Sequence, residues 1–307
     1  MTTLVLGSTG LIGSAILRLS QQNSLGFEGI NSSVVDLRNR SLVSRYFIEQ
    51  KPKKVILAAA RVGGIGANSK FPVEFLTDNI LIQTNVLNAA FESGVEKVVF
   101  LGSSCIYPKL CPQPIKEDYL LTGPLEETNS AYAVAKISGV ELIKSYRKQY
   151  KCSWISLMPT NLYGPNDNFD LETSHVVAAL IHKFVKATDE GLEEVVLWGT
   201  GTSKREFMHV DDAARAIVLA LDRYDSDSPL NIGVGQDIAI AELAEKVRNA
   251  TGYHGKIIWD DSKPDGVPRK VLDVSRLKHL GFEPKVTLEE GLLSTVALFR
   301  ANKGRMP

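Results

Sequence analysis

Two hydroxyl groups and a thiol directly follow an apolar run in this sequence, and all three side chains can take part in proton transfer. The run Lys97–Leu101 has the length and β-branched content of a buried parallel strand, and Ser103, Ser104 and Cys105 come just after it. In a doubly wound sheet, ligands bind outside the carboxyl ends of the strands. The sequence therefore places two proton donors and one potential thiolate where chemistry is expected.

A second pair of reactive side chains follows on a predicted helix. Lys136 comes four residues after Tyr132, so the two side chains share one helix face. An ammonium beside a phenol favours the phenolate and lowers the phenol pKa, which would make Tyr132 a general acid near neutral pH. A solvated surface pair is the alternative. Of the nine tyrosines, however, only Tyr132 has a lysine four residues further on.

A glycine-rich turn near the N-terminus predicts a dinucleotide site. It lies between a short apolar strand at residues 3–6 and a helix that continues to residue 19. The turn has the spacing GxxGxxG and consists of Gly7, Ser8, Thr9, Gly10, Leu11, Ile12 and Gly13. Such a turn brings backbone N–H groups and a helix N-terminus close to a pyrophosphate. A plain tight turn is the alternative, but the flanking strand and helix favour the dinucleotide site.

The tip of the second predicted strand bears on the choice of cofactor. A carboxylate there would accept from the ribose 2′-hydroxyl of NAD, but the tip reads Asn31-Ser32-Ser33. The missing acid favours NADP, although no arginine stands at the tip to hold a 2′-phosphate. Asp36 could meet the adenine amino group, and a turn or helix-capping aspartate is an equal alternative.

Strands and helices alternate through the first half, which predicts an α/β fold with a Rossmann-type doubly wound parallel sheet. The elements predicted after the first two strands are strands at 54–58, 97–101, 154–158, 195–198 and 230–232, helices at 73–92, from near 129, and at 174–186, 211–221 and 288–300, and a loop at 260–270. The alternation becomes irregular after residue 158. We therefore predict a dinucleotide-binding domain at 1–165, with later returns near 206–235, and a smaller α/β substrate-binding lobe at 166–307.

Composition excludes several classes of function. The 307 residues include 35 basic and 35 acidic ones, and this zero net charge argues against a nucleic-acid partner. The apolar runs are strand-sized, and the first residues show no charged leader or long apolar run, so we expect neither a membrane span nor a secretory signal. Three cysteines without framework spacing indicate a reducing compartment, so we expect a cytoplasmic protein. We also expect no metal ion.

The sequence contains GSTGLIG, SS…YAVAK, NLYGP, HVDD and NIGVG in this order. Motifs of these types in this order resemble those of the extended short-chain dehydrogenase/reductase superfamily. Within it, six longer strings resemble the GDP-L-fucose synthases: AARVGGIGAN (59–68), FLGSSCIYPK (100–109), MPTNLYGPNDNF (158–169), SHVVAALIHKF (174–184), WGTGTSKREFMHVDD (198–212) and KPDGVPRKVLDVSRL (263–277). The resemblance implies an enzyme that takes GDP-4-keto-6-deoxy-D-mannose, inverts C3 and C5, and reduces C4 with NADPH.

That reaction requires particular groups around the sugar. The C4 ketone makes the hydrogens on C3 and C5 acidic, and their removal gives an enolate that a donor at O4 must stabilise. Inversion needs reprotonation from the opposite face, and hence a second acid–base group across the ring. Delivery of a hydride to C4 then needs a proton for O4.

The resemblance implies catalytic roles for five residues. Tyr132 would be the O4 donor, tuned by Lys136, which would also hold the nicotinamide ribose, and Ser103 would hydrogen-bond the same oxygen. Cys105 would be the base and His175 the acid on the far face. The alternatives are a small buried cysteine and a capping or packed histidine. The other two cysteines, Cys111 and Cys152, are interpreted as structural.

The implied binding residues complete the predicted site. Cofactor contacts are predicted for the glycine turn (residues 7–13) and for Asp36, Leu101, Gly102, Ser103, Ser104, Lys136, Pro159, Thr160, Asn161, Leu162 and His175. Substrate contacts are predicted for Lys183, Trp198, Arg205, Asp265 and Lys270, with a core tryptophan as the alternative for Trp198. The sequence departs from some family members at Ser8-Thr9, where they have a basic residue in the glycine turn.

Two rival functions and the oligomeric state remain to be considered. A 4,6-dehydratase needs carboxylates just after the serines, but no acid follows until Glu117, and a 4-epimerase needs no thiol base. A non-catalytic cofactor-binding protein could lose the serine, tyrosine or lysine, yet all three are present. By analogy with the superfamily, we expect a homodimer formed through two helices, at 74–92 and 129–150.

Overall fold

The computed structural model describes residues 2–263 and 265–302. A six-stranded parallel sheet forms the centre of the molecule, with the strand order β10-β5-β4-β3-β1-β2. Its strands are β1 (Thr3–Leu6), β2 (Glu28–Ile30), β3 (Lys54–Leu57), β4 (Lys97–Leu101), β5 (Ile155–Pro159) and β10 (Leu230–Ile232). The strand order reverses direction between β1 and β3, so ligands are expected in the crevice at this point.

Helices connect these strands and cover both faces of the sheet, as the sequence predicts for a doubly wound fold. The connecting helices are α1 (Leu11–Gln22), α2 (Arg40–Gln50), α3 (Ile65–Lys70), α4 (Pro72–Glu92), α5 (Ser130–Tyr150) and α7 (Val210–Arg223). Buried apolar side chains of the sheet and its helices form one continuous core. A segment at 272–282 also packs on this core, although it lies far along the chain from the other contributors.

Three small sheets and four further helices form the rest of the molecule. Strand β6 (Asn161–Tyr163) pairs with β9 (Phe207–His209), and β7 (Glu194–Trp198) pairs with β12 (Lys256–Asp260). A third sheet has the order β11-β8-β13, with β8 at Lys204–Arg205, β11 at Ile238–Ala239 and β13 at Arg269–Lys270. The helices are α6 (Val176–Glu190), α8 (Ile240–Thr251), α9 (Ser275–His279) and α10 (Leu288–Asn302).

A second hydrophobic core lies among α6, α8, α10 and β7. Tyr163 and Phe207, from the small sheet that adjoins the central one, also belong to it. The predicted domain ranges reach beyond the described residues, since Met1, Pro264 and 303–307 lie outside them. Among the described residues, no helix is long and apolar enough to cross a membrane.

Several elements differ from their predicted extent. The helix predicted at 174–186 begins at Val176, because His175 keeps an extended backbone conformation. The loop predicted at 260–270 is flanked by two strands, since β12 ends at Asp260 and β13 covers its last two residues. Helix α8 was not predicted at all, although its apolar face is buried in the second core.

Candidate active site

The glycine turn has the geometry of a pyrophosphate site. Gly7 has a φ of +90°, and a Cβ on Gly13 would collide with the Gly7 carbonyl oxygen, so glycine is required at both positions. Helix α1 begins at this turn with Gly10 as its N-cap, which has no side chain to accept from the first-turn N–H groups, and no acidic residue lies in that turn. These N–H groups and the helix dipole are left for an anionic ligand. The turn therefore fits a dinucleotide.

The tip of β2 carries hydroxyl groups and a paired aspartate. The Asn31 side-chain oxygen accepts hydrogen bonds from the backbone N–H and the hydroxyl of Ser33, at 2.9 and 2.6 Å. Arg38 donates two side-chain hydrogen bonds to Asp36, at 3.0 and 2.9 Å, and they hold the pKa of that carboxyl below its usual value. Arg38 was not predicted as a site residue, although its position two residues after Asp36 is a sequence signal for this pair.

The predicted donor set around the end of β4 is brought together. Ser103 caps the short 3₁₀ helix Ser104–Ile106 by accepting from the Cys105 N–H at 3.2 Å. A hydrogen bond also links the Ser103 hydroxyl to Tyr132. Since the Cys105 sulfur lies close enough to affect the charge state of Tyr132, the hydroxyl, phenol and thiol form one cluster.

Burial sets the protonation states of Tyr132 and Lys136. Removal from water raises the Tyr132 pKa well above its usual value, and the charge on Cys105 adds to this, while the bond with Ser103 opposes it. The Lys136 side chain is buried, and burial lowers its pKa to about 7. Its ammonium nitrogen lies 5.8 Å from the centre of the Tyr132 ring and donates to the Leu101 carbonyl oxygen at 2.8 Å.

The predicted lowering of the Tyr132 pKa by Lys136 is therefore wrong for this arrangement. Desolvation disfavours the phenolate and the ammonium alike, and it is the largest influence on the pKa of both groups. Tyr132 stays a neutral phenol, so it can act as a proton donor but not as a stable phenolate.

Cys105 has two kinds of neighbour that bear on its reactivity. Its sulfur accepts a hydrogen bond from the side-chain amide of Asn129, with a nitrogen–sulfur distance of 3.4 Å. Cys105 also lines a small pocket together with Lys270, one of the predicted substrate cations. Asn129 was not singled out from the sequence, where it reads as an N-cap of the helix that carries Tyr132.

A strap at residues 166–175 crosses the crevice, and His175 is its last residue, just before α6. The strap is fixed at one end by a hydrogen bond from Asn166 to the Ser14 hydroxyl, at 3.0 Å, and near the other by one from the Gly64 N–H to the Thr173 carbonyl, at 2.8 Å. Surrounding protein atoms lower the His175 pKa by desolvation, although the side chain keeps an open face to solvent. No side-chain hydrogen bond joins His175 to Cys105 or Tyr132 within the described residues.

The remaining predicted substrate residues gather on the small sheets and their loops. Arg205 on β8 is the register partner of Lys270 on β13, so these two cations lie side by side. Burial lowers the pKa of Arg205. The Asp265 carboxylate accepts from the Thr200 N–H and hydroxyl, at 3.0 and 2.6 Å.

The other two predicted substrate residues lie around β7. Trp198, at the end of the strand, is 72 % exposed, so the alternative of a core tryptophan is wrong. The Lys183 ammonium donates to the Val196 carbonyl oxygen at 3.1 Å, and burial lowers its pKa.

The fully buried carboxylate of Glu206 links the segment after β13 to the loop after β10, the last strand of the central sheet. Its two oxygens accept from the N–H groups of Val234, Gly235 and Leu272, at 2.6, 2.7 and 2.8 Å. Its own carbonyl oxygen accepts from the side chains of Thr160 and Asn161, at 3.3 and 2.9 Å. Glu206 was not predicted as a site residue, although an acidic residue between Arg205 and β9 is an unusual sequence signal.

The site can now be compared with known proteins. Residues 3–235 match the NAD dependent epimerase/dehydratase family. GDP-L-fucose synthase 1 of Arabidopsis thaliana is 52 % identical over 301 residues, which cover 97 % of this chain and 93 % of that protein. GDP-L-fucose synthase of Escherichia coli K12 is 44 % identical over 311 residues, covering 98 % and 97 %.

A solved structure supports the same relationship. The crystal structure of a GDP-L-fucose synthetase from Naegleria fowleri bound to NADP has a TM-score of 0.92, is 30 % identical, and covers 99 % of this chain and 95 % of that one. The relatives and the solved structure thus agree over nearly the whole chain, and the family model agrees with them over residues 3–235. This chain belongs to the NAD dependent epimerase/dehydratase family and, within it, to the GDP-L-fucose synthases.

Proposed function

We propose that this protein converts GDP-4-keto-6-deoxy-D-mannose to GDP-L-fucose, by inverting C3 and C5 and then reducing C4. The observation that carries this proposal is the cluster of Ser103, Cys105 and Tyr132 at the end of β4, in a chain whose relatives are named GDP-L-fucose synthases. A reductase of this family needs the hydroxyl and the phenol. A thiol beside them serves a step that reduction alone does not require.

Tyr132 and Ser103 hold the C4 oxygen in both stages. Because its pKa is raised, Tyr132 keeps its proton until charge develops on the C4 oxygen. It then hydrogen-bonds the enolate oxygen during the inversions and gives its proton to the C4 alkoxide that hydride transfer forms. Lys136, fixed against the Leu101 carbonyl oxygen, holds the nicotinamide ribose. Bound NADPH supplies the hydride for C4.

Cys105 and His175 carry out the two inversions. The Cys105 thiolate removes the proton from C3 or C5, and Tyr132 and Ser103 stabilise the enolate that forms. His175 gives a proton to the opposite face of the ring. Desolvation lowers the pKa of His175 and so disfavours its protonated form. The negative charge of the substrate diphosphate, which approaches when the sugar binds, opposes this effect and favours the protonated form.

The second lobe binds the nucleotide part of the substrate. Arg205, Lys270 and Lys183 hold the diphosphate, and the arginine can grip two phosphate oxygens at once. The exposed face of Trp198 stacks on the guanine, and Asp265 accepts from it. The domain at 1–165, with the returns at 206–235, thus holds the cofactor, and the lobe at 166–307 holds the sugar nucleotide.

The cofactor is NADP(H), held by the residues of the glycine turn, the ends of β4 and β5, and Asp36. Residues 31–33, which directly follow β2, include no carboxylate, and the nearby Asp36 carboxylate is paired with Arg38, so the tip of β2 can accommodate a 2′-phosphate. The hydroxyls of Ser8 and Thr9 are the side-chain donors that the turn offers to that phosphate.

The chain forms a homodimer through α4 and α5 and works in the cytoplasm. Support for the dimer comes from apolar side chains that these two packed helices leave exposed, Val73, Ile80, Leu81, Phe91, Val134 and Tyr150. Support for the compartment comes from the three cysteines, all of which are free.

A comparison of variants in deuterated water tests the proposed reaction. Cys105→Ser should lower deuterium incorporation at C3 and C5 by about a hundredfold or more, as expected for loss of a catalytic base, while NADPH oxidation continues slowly to an uninverted product. His175→Gln should behave likewise, and Tyr132→Phe should lose both steps. Products are identified by NMR, with NADH in place of NADPH as a parallel arm.

The control is Cys111→Ser, since burial raises the pKa of that thiol and it has no place in the proposed site. This variant should match the wild-type protein in both steps. If Cys105→Ser still inverts both centres at the normal rate, Cys105 is not the base. If the wild-type protein reduces C4 without inverting C3 and C5, the epimerase assignment fails and a C4 reductase remains. If the wild-type protein binds NADPH but consumes none with this substrate, the chain is a cofactor-binding protein.

A further inference from the structure

We propose that Asn129 is a positioning residue that activates Cys105, because its side-chain amide donates to the sulfur and so favours the thiolate. This inference rests on the proposed role of Cys105 as the epimerisation base. Among the described residues, Asn129 makes the one hydrogen bond that reaches the Cys105 sulfur, at 3.4 Å. A donor to the charged form of an acid stabilises that form, and the thiolate is the form that removes protons.

Asn129 does not perform the task that its position predicts. It is the N-cap of α5, and asparagine is among the best N-cap residues, yet its side chain makes no capping hydrogen bond. Asn39 offers a direct comparison, since it is the N-cap of α2 and its side-chain oxygen accepts from the Leu42 N–H at 3.2 Å. The side chain of Asn129 makes no such capping bond, and its amide donates to the Cys105 sulfur instead.

The other end of the same amide is left without a partner. The Asn129 side-chain oxygen is buried and accepts no hydrogen bond from the described residues. An unpaired buried amide oxygen costs about 1–3 kcal/mol, so its retention calls for a function.

The surroundings of the sulfur hold other groups that affect its charge. Helix α5 points its positive N-terminal end toward the 3₁₀ helix that carries Cys105, and its first turn contains no acidic residue. The titratable and charged groups around Cys105 are Tyr132 on α5 and, in the shared pocket, Tyr107, Lys109, Glu126, Arg269 and Lys270. All of them are unchanged in a variant at residue 129, so a difference between variants reports on the amide.

Thiol alkylation measures the effect without turnover. The chain has three cysteines, so replacing Cys111 and Cys152 by serine leaves Cys105 as the only thiol. In this background, the rate of iodoacetamide alkylation is measured against pH. We expect Asn129→Ala to raise the midpoint of the profile by about 1 pH unit, and the isosteric Asn129→Asp to raise it further, since its carboxylate repels the thiolate.

Asn39→Ala is the matched control, because it removes an asparagine that does cap its helix. It should lower the melting temperature and leave the alkylation midpoint unchanged. A merely structural role for Asn129 predicts the same behaviour for Asn129→Ala, and that result would overturn the inference. Should Asn129→Ala fold poorly, Asn129→Asp decides the question, since an unchanged or lowered midpoint in this variant also contradicts the role.

Turnover separates this inference from the proposed function. With the keto sugar nucleotide, Asn129→Ala should lower deuterium incorporation at C3 and C5 about tenfold near neutral pH, with recovery at higher pH. If the parent protein shows no turnover, the proposed function fails, but the alkylation profiles still decide whether the amide activates the thiol.

Discussion

At the scale of single residues, burial rather than sequence neighbours decides which form each reactive group takes. Lys136 follows Tyr132 by four residues, as the sequence predicts, but the two are removed from water together. Desolvation then raises one pKa and lowers the other. The phenol stays protonated, which suits a donor that must act only when charge develops on the substrate.

The lowered pKa of Lys136 predicts how stability depends on pH. The pKa is about 7 in the folded protein and near 10.5 in the unfolded chain. Between these values the unfolded state binds more protons, so stability rises with pH, and the cost of burying the ammonium is complete only below pH 7. We expect Lys136→Met to gain stability relative to wild type at about pH 6, by on the order of 3–4 kcal/mol more than at about pH 10.

Urea unfolding of both proteins without cofactor, at the two pH values, measures this difference. Lys148→Met is the matched control, because Lys148 lies exposed on the same helix. It should change stability equally at both pH values. A Lys136→Met effect that does not vary with pH would show that the ammonium is not buried in the folded protein.

The reactive residues that could be predicted from sequence are those with local signals. Ser103 and Cys105 follow an apolar strand, and Tyr132 has its lysine one helical turn away. Asn129 and Glu206 could not be identified in this way, because their partners are fixed only by folding. The partner of Asn129 lies 24 residues earlier in the chain, and a partner of Glu206 lies 66 residues later.

At the scale of secondary-structure elements, five of the six strands of the central sheet were predicted within one or two residues, because buried parallel strands are continuous apolar runs. For β2, only an end near residues 30–35 was predicted. The small sheet that carries Arg205 and Lys270 could not be predicted. Its strands are two residues long, and polar residues dominate two of them, so they show no period. Contacts from other segments, rather than a local pattern, hold this sheet in place.

Glu206 is the group that holds this sheet against the cofactor side. Its carboxylate accepts hydrogen bonds from N–H groups in the loop after β10 and in the segment after β13. It therefore fixes β8, which carries Arg205, relative to β13, which carries Lys270. Glu206→Gln replaces one acceptor by a donor that faces these N–H groups. We expect a loss of about 1–3 kcal/mol in unfolding free energy. We also expect a KM for the sugar nucleotide about tenfold higher, with a smaller change in kcat, since the cations bind substrate but do not react.

Urea unfolding and steady-state kinetics measure the two effects. Glu141→Gln is the control, because that glutamate forms an exposed pair with Lys144, and its loss should change stability by less than about 1 kcal/mol. Wild-type stability together with a wild-type KM in Glu206→Gln would contradict the positioning role.

At the scale of the whole molecule, the proposed site draws on segments that lie far apart in the chain. The cluster of Ser103, Cys105 and Tyr132 lies at the end of the central sheet, whereas Arg205 and Lys270, the proposed substrate cations, lie on a small separate sheet. The alternation of strands and helices in the sequence was enough to predict the first part. The sequence could not show that residues 272–282 return to the first core, because this contact joins segments far apart in the chain.

The proposed dimer makes a prediction about the outer faces of α4 and α5, which pack against each other. On α4, Val73, Ile80, Leu81 and Phe91 remain 36–66 % exposed, and their spacing follows one side of the helix. Such a face is costly in water, and a second copy of the chain can cover it.

Leu81→Glu would place a charge at the centre of that contact without disturbing the monomer core. We expect it to weaken the dimer by about a hundredfold or more in sedimentation equilibrium, and to leave NADPH binding intact. Leu293→Glu is the control, since Leu293 is similarly exposed on α10, far from α4 in the sequence, and it should remain a dimer. A wild-type protein that sediments as a monomer, or a Leu81→Glu variant with an unchanged dimer, would exclude this interface.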